Sequence, residues 1–223
     1  MITDELISEK NGRKTIPHEA GRKNELTRQN VLRCAFTEFA QRGFDAGSVD
    51  AICQNGNISK GIIYYYFSSK EDLYLSCVEK CFQDLTDYLS ARLQETEAAT
   101  AQDLLTAYFD LQMIWFRNHP DAASLFCSAV MTPPASLKEK ILSKKSVLDH
   151  FNAEVMRKIL HGKALQPDLD SEEIIRIFQI FQDFFNAGIR TMQDAPADLE
   201  QYESACRTAL HIFLYGILKQ GVM

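Results

Sequence analysis

The sequence lacks a hydrophobic run long enough for a membrane. The longest apolar stretch, Ala209 to Leu218, is ten residues and contains His211, against the roughly 20 residues a spanning helix needs. There is no CxxC pair among the six cysteines, and Gly and Pro together number only 16 of 223 residues. Collagen-like, disordered and coiled-coil-only chains are therefore excluded. No stretch alternates apolar and polar residues as a half-buried strand does. There is no phosphate-cradling glycine loop, no HExxH and no GxSxG, so an enzyme is not expected. Residues Met1 to Lys14 are polar, with no apolar signal-peptide core. A cytoplasmic protein with reduced thiols is expected, and its Asn57-Ile58-Ser59 sequon is then without meaning.

Positive charge is also scarce. Lys and Arg total 24 against 30 Asp and Glu, a net charge of −6. Read as an average, this opposes nucleic-acid binding, whose affinity comes mostly from Lys and Arg. The average conceals an asymmetry. Residues 1–70 hold ten Lys and Arg against eight Asp and Glu, and residues 71–223 hold fourteen against twenty-two. A slightly basic head on an acidic body can still bind a polyanion if its charges share a face.

What is present is helical periodicity. Residues 1–24, with Gly12, Pro17 and Gly21, read as a flexible arm. From Thr27, a plausible N-cap, Val31, Leu32, Ala35, Phe36, Phe39 and Ala40 follow helical spacing up to Gly43. Ser48 caps a short segment holding Val49, Ile52 and Cys53, which ends at Asn55-Gly56-Asn57. Ile58 anchors that turn, and Ser59 caps a third helix from Lys60 to about Tyr66. Two short helices joined by a tight Gly/Asn turn make a helix-turn-helix. Longer helices follow at about Lys70–Leu93, Ala101–Asn118, Asp121–Met131, Ser136–His161, Ser171–Met192 and Ala197–Lys219. The expected fold is all-α with about nine helices. A head over 25–71 precedes a larger helical domain over 72–223.

The stretch Phe39-Ala40-Gln41-Arg42-Gly43-Phe44, then Ser48-Val49-Asp50-Ala51-Ile52, then the run from Ile58 through Ser59-Lys60-Gly61 and Tyr64-Tyr65-Tyr66 to Leu73 resembles the DNA-binding domain of the TetR family of bacterial transcriptional regulators. A recognition helix brings its N-terminal residues to base edges in the major groove, and here those are Ser59, Lys60 and Gly61. The helix N-terminus favours phosphate, and Gly61 permits close backbone approach. Three tyrosines 100° apart cannot all be core. The resemblance implies that Tyr64 and Tyr66 touch phosphates, that Tyr65 reaches the groove and that Lys70 clamps the backbone. Thr27, Arg28 and Ser48 are expected at helix starts that could reach phosphates. Ile62 departs from the small or hydroxyl residue common in the family; it meets a thymine methyl or packs within the protein. Asn57 stands where the family usually has Gly, and tolerates the positive φ that the turn needs.

The resemblance further implies a homodimer on a palindromic operator, acting as a ligand-responsive repressor. The last two helices are apolar over more than one face, which suits a dimer interface through Phe181, Phe184, Phe185, Gly188, Ala205, Ala209, Phe213 and Ile217. An ordinary monomer core would use the same residues. Tyr108, Met113, Trp115, Phe116, Phe126, Phe151, Met156 and Phe178 are candidates for an effector pocket between the middle helices, and equally for core. They suggest an apolar or aromatic small molecule. No cofactor is expected. A metal or redox sensor is the competing reading, from Cys77 and Cys81 on one helix face and from His150 with Glu154. These are only pairs, where a metal needs three or four ligands. A DNA-free dimeric ligand carrier is the other.

Overall fold

The computed structural model describes residues 17–192 and 196–218. Among them are nine helices: α1 (Pro17–Ala46), α2 (Val49–Gly56), α3 (Lys60–Tyr66), α4 (Lys70–Gln94), α5 (Ala101–Asn118), α6 (Pro120–Met131), α7 (Lys138–Leu160), α8 (Ser171–Met192) and α9 (Pro196–Ile217). The only β pairing there is an isolated bridge between Leu165 and Leu218. The all-α expectation holds.

One boundary is corrected. The sequence predicts an arm up to residue 24, but α1 already starts at Pro17; residues 1–16 lie outside the described residues. Proline fits a first helical turn, where no N–H is required, and one glycine costs a helix only about 1 kcal/mol relative to Ala. Thr27 is therefore mid-helix and not a cap. Its hydroxyl donates to the Lys23 carbonyl at 2.9 Å. α8 is capped by Asp170, which accepts from the Glu173 N–H at 3.2 Å, with Ser171 the first helical residue.

The head packs α1, α2 and α3 around Val31, Leu32, Ala35, Phe39, Ile52, Ile58 and Ile63, all buried. Gly43 breaks the α1 backbone at φ 69°. Chain direction reverses between α2 and α3 at Asn57, whose φ of 49° is the only positive value at a non-glycine residue among those described. Thus Asn does take the left-handed position. The Ile58 N–H then donates to the Cys53 carbonyl at 2.9 Å, and the side chain is buried as the turn's anchor.

α4 completes the head. The Tyr74 ring meets Phe39 edge-on at 5.2 Å and Phe44 at 5.1 Å. Burial raises the Tyr74 phenol to about 12, although a hydrogen bond to Ser128 opposes the shift. Further along, α4 enters the body and packs on α7, with Lys144 paired to Glu79 at 2.9 Å and Lys140 paired to Glu71. α6 leans back on α1, where the Thr37 hydroxyl donates to Asp121 at 3.0 Å. α8 and α9 close the body; Arg117 pairs with Glu203, and Arg207 with Asp110.

Gly47 lies where α1 turns into α2. A Cβ there would sit 2.7 Å from the Gly43 carbonyl oxygen and 2.7 Å from the Phe39 ring. Gly47→Ala should therefore destabilise the chain by about 1–3 kcal/mol, the usual cost of overpacking. The check is urea unfolding, with a lower midpoint at unchanged slope.

Candidate nucleic-acid interface

Each short helix is positioned by a serine. The Ser48 hydroxyl oxygen accepts from the Ala51 N–H at 3.4 Å, and Ser59 accepts from the Ile62 N–H at 3.3 Å. A serine oxygen that accepts can still donate its own hydrogen. Ser48 is further fixed by its N–H, which donates to buried Glu38 at 3.0 Å.

On α3, Ile63 points inward and is buried, and Phe67 seals the end of the helix. Residues four apart share a face, so Phe67 follows Ile63 inward while the pairs Lys60 and Tyr64, and Gly61 and Tyr65, lie on other faces. Lys60, Gly61, Tyr64 and Tyr65 are accordingly exposed together, Tyr65 the most at 71%. Ile62 is 39% exposed, so it stands outside the core. A Cβ on Gly61 would meet only the Ser59 oxygen, at 4.0 Å. The helix does not need glycine there, and the backbone is open to close approach.

Lys60 bonds Asp50 across the turn at 2.9 Å. That hydrogen bond and the carboxylate's charge hold the ammonium above the ordinary lysine value, so it remains charged. Tyr66 differs from its neighbours. It is half-buried, its ring is edge-on to Tyr65 at 4.9 Å, and its hydroxyl donates to Asn24 on α1 at 2.8 Å. It ties α3 to α1. Lys70 heads α4, donates to the Asp45 carbonyl at 3.2 Å and lies over the Phe44 ring at 4.8 Å. It too has a structural partner.

Two expected contacts are not at helix starts. Because α1 begins at Pro17, Thr27 and Arg28 are mid-helix. The Arg28 guanidinium lies over the Phe67 ring at 5.4 Å, bracing the end of α3. Asn24 carries no signal in the sequence, since it falls within the expected arm.

The effector candidates divide. Trp115, Phe116 and Phe126 form one aromatic cluster, with centroids 5.1 Å and 5.3 Å apart. Tyr108 stands against Phe151 and Phe178 at 6.4 Å and 5.9 Å. All eight are buried except half-buried Phe151. A cavity of about 780 Å³ opens between α1, α4 and the α5–α6 junction, lined by Arg28, Arg33, Phe36, Lys80, Trp115 and His119 among others. Of the eight, only Trp115 borders it.

The expected dimer residues divide as well. Phe181 and Phe184 are exposed at 40% and 59%, joined by Ile177 and Ile180 on α8 and by Ile212 and Tyr215 on α9. Ile212 and Tyr215 are absent from the sequence-based set because they fall outside the apolar spacing of α9. Ala205 is exposed, and Ala209 and Phe213 are half-buried. Ile217 is buried within the subunit. Gly188 also serves the subunit, for a Cβ there would lie 2.0 Å from the Tyr202 hydroxyl of α9. Phe185 packs on Phe109 at 6.1 Å.

Cys77 and Cys81 are buried, and their thiols donate to the Leu32 and Ala122 carbonyls at 3.8 Å and 3.6 Å. Burial pushes both thiols far up. No group of three or more His, Cys, Asp or Glu side chains converges among the described residues. A thiolate is the reactive and ligating form, so in the native protein iodoacetamide should label half-buried Cys53 before Cys77 or Cys81. Peptide mass spectrometry reads this; early modification of Cys77 would revive the redox reading.

The sequence pattern described as bacterial regulatory proteins, tetR family, matches residues 31–77, and that of the tetracyclin repressor-like C-terminal domain matches residues 99–223. The biofilm operon icaADBC negative transcriptional regulator IcaR of Staphylococcus epidermidis is 34% identical over 62 residues, 28% of this chain and 34% of that protein. The transcriptional regulator RutR of Escherichia coli K12 is 26% identical over 146 residues, 65% of this chain and 66% of RutR. Both matches span less than two thirds of the relative. Among solved structures, FadR of Bacillus subtilis in complex with stearoyl-CoA has a TM-score of 0.70 at 17% identity, covering 85% of this chain and 99% of FadR. FadR of Bacillus halodurans has a TM-score of 0.68 at 17% identity, over 86% of this chain and 100% of its own. With matches over both the head and the body, this chain belongs to the TetR family of bacterial transcriptional regulators.

Proposed function

We propose that the chain is a ligand-responsive homodimeric repressor that reads a palindromic operator with α3. The observation that carries this is the outward face of α3: Lys60, Gly61, Tyr64 and Tyr65 exposed together beyond the Ser59 cap. Tyr65 reaches the groove, Ile62 offers apolar contact to a thymine methyl, and Lys60 supplies charge. The Ser48 and Ser59 hydroxyls donate to phosphates, as does Tyr64. Tyr66 and Lys70 combine backbone contact with holding α3 and α4 on α1. Thr27 and Arg28 act through the packing of α1. The names of IcaR and RutR, a negative regulator and a transcriptional regulator, agree with this role.

Dimerisation rests on the apolar face of α8 and α9. Ile177, Ile180, Phe181, Phe184, Ile212 and Tyr215 expose too much apolar area for a lone soluble chain. A two-fold axis through that face would bury it against itself and place two α3 helices about one DNA turn, roughly 34–36 Å, apart. An effector in the body that binds one conformer better than the other would shift that spacing. α4, continuous from head to body, is the element that transmits the change.

Gel-shift titration on DNA upstream of the chain's own gene tests the interface. Tyr65→Ala should weaken operator affinity about 10-fold or more, the effect of removing one base-edge interaction, and leave the unfolding midpoint in place because the ring is exposed. Lys70→Ala should weaken binding to all sequences and reduce the salt slope by about one for each phosphate no longer neutralised. An unaltered slope removes Lys70 from the phosphate set.

Light scattering tests the dimer. The chain should elute at twice its own mass at micromolar concentration. Phe184→Glu should shift it to monomer, since a charge at an interface centre costs several kcal/mol when unpaired. Wild type eluting as a monomer contradicts the dimer.

A further inference from the structure

The body contains a buried polar layer that the apolar-effector reading does not use. On α8 the inward stripe begins with Ile174, Ile175 and Phe178 and then turns polar at Gln182 and Asn186, one helical turn apart. Opposite stand Gln112 and Tyr108 of α5 and Asn152 of α7, all buried. Some of these groups satisfy each other. The Tyr108 hydroxyl donates to Asn152 and accepts from the Gln112 amide, the latter at 2.7 Å. Five atoms have no partner among the described residues: Gln112 Oε1, both amide atoms of Gln182 and both of Asn186. Gln182 approaches the Tyr108 phenol closely enough to favour its ionised form, yet without hydrogen-bond geometry. Burial is the larger effect and pushes that phenol up.

Leaving a buried polar atom unpaired costs about 1–3 kcal/mol. Buried polar groups are normally satisfied, so each of these atoms calls for a partner. The chemistry of the missing partner follows from the atoms. Two are amide donors and three are carbonyl acceptors, so it must both donate and accept. It should also be neutral. A nearby cation, Lys145, is itself buried and shared between Asp149 and Asp183, the second at 3.0 Å. A ligand carboxylate would face those two carboxylates, with Lys145 already committed to both. The rings of Phe151 and Phe178 flank Tyr108, tilted to it by 43° and 44°, and supply an apolar border to the layer.

We propose that Gln112, Gln182 and Asn186 read the effector through an amide-type donor–acceptor edge on a neutral molecule. This rests on the ligand-responsive reading above and names the chemical class of the ligand. Neither a fatty acid nor a plain hydrocarbon answers the five atoms.

Thermal unfolding with three fragments of one shape tests this: benzamide, benzoate and toluene. At about 10 mM, benzamide should raise the wild-type Tm by about 3 °C, as saturation at ten times Kd does for a chain this size. Benzoate and toluene should give much smaller shifts. In Gln182→Leu and Asn186→Leu the benzamide preference should vanish. Without ligand, both variants should melt about 2–4 °C higher, because an unpaired buried amide has been replaced by an apolar group of similar size. Three results overturn the proposal: no benzamide shift, an equal benzoate or toluene shift, or a lower ligand-free Tm in both variants, which would mean that the amides are already satisfied. Operator gel shifts run in parallel separate the two readings. DNA binding without amide preference removes only the ligand class; amide preference without DNA binding removes the regulator reading and leaves the site.

Discussion

The packing of Tyr74 between Phe39 and Phe44 is the contact on which the rest depends. A head of about 50 residues buries so little apolar surface that it is marginal alone. The chain solves this by lending it the first turns of α4, where Leu73, Tyr74, Cys77 and Val78 are all buried. The same helix then continues unbroken to Gln94 and packs on α7. No flexible hinge separates the reading head from the body. Any movement of the body side of α4 must move the head, since a packed core transmits displacement rather than absorbing it.

The interface that results is assembled from few charges. Its cations are already engaged, Lys60 with Asp50 and Lys70 with the Asp45 carbonyl. Helix ends and hydroxyls therefore share the work, which fits a head with a balance of only +2 and a chain carrying −6. The acidic excess lies in the body, residues 71–223, and opposes DNA there. In the proposed dimer, specificity depends on engaging the outward face of α3 twice.

The head is readable because its signals are local. Ser48 and Ser59 each cap a helix, Asn57 supplies the left-handed turn, and Gly43 breaks α1, each within four residues of what it controls. The start of α1 is not readable, because Pro17 and Gly21 suggest a loop, while tertiary contacts such as Tyr66 to Asn24 hold that segment in place. Likewise the aromatic side chains of the body are identical in sequence whether they fill a core or line a pocket. Only their packing separates Trp115, on the open cavity, from Phe126, buried against Phe82 at 5.6 Å.

By itself, the sequence determined the all-α class, the helix-turn-helix and the family, since periodicity, caps and turn residues act over a few positions. Tertiary structure alone decided which apolar residues of α8 and α9 remain exposed, because helices of mixed apolar faces leave that choice to their neighbours. It also decided that Gly188 makes room for Tyr202 inside one subunit. Above all it buried Gln112 of α5 and Gln182 and Asn186 of α8, about 70 residues apart in the chain. Polar residues so widely spaced carry no pattern in sequence, and only folding decides that they are taken out of water.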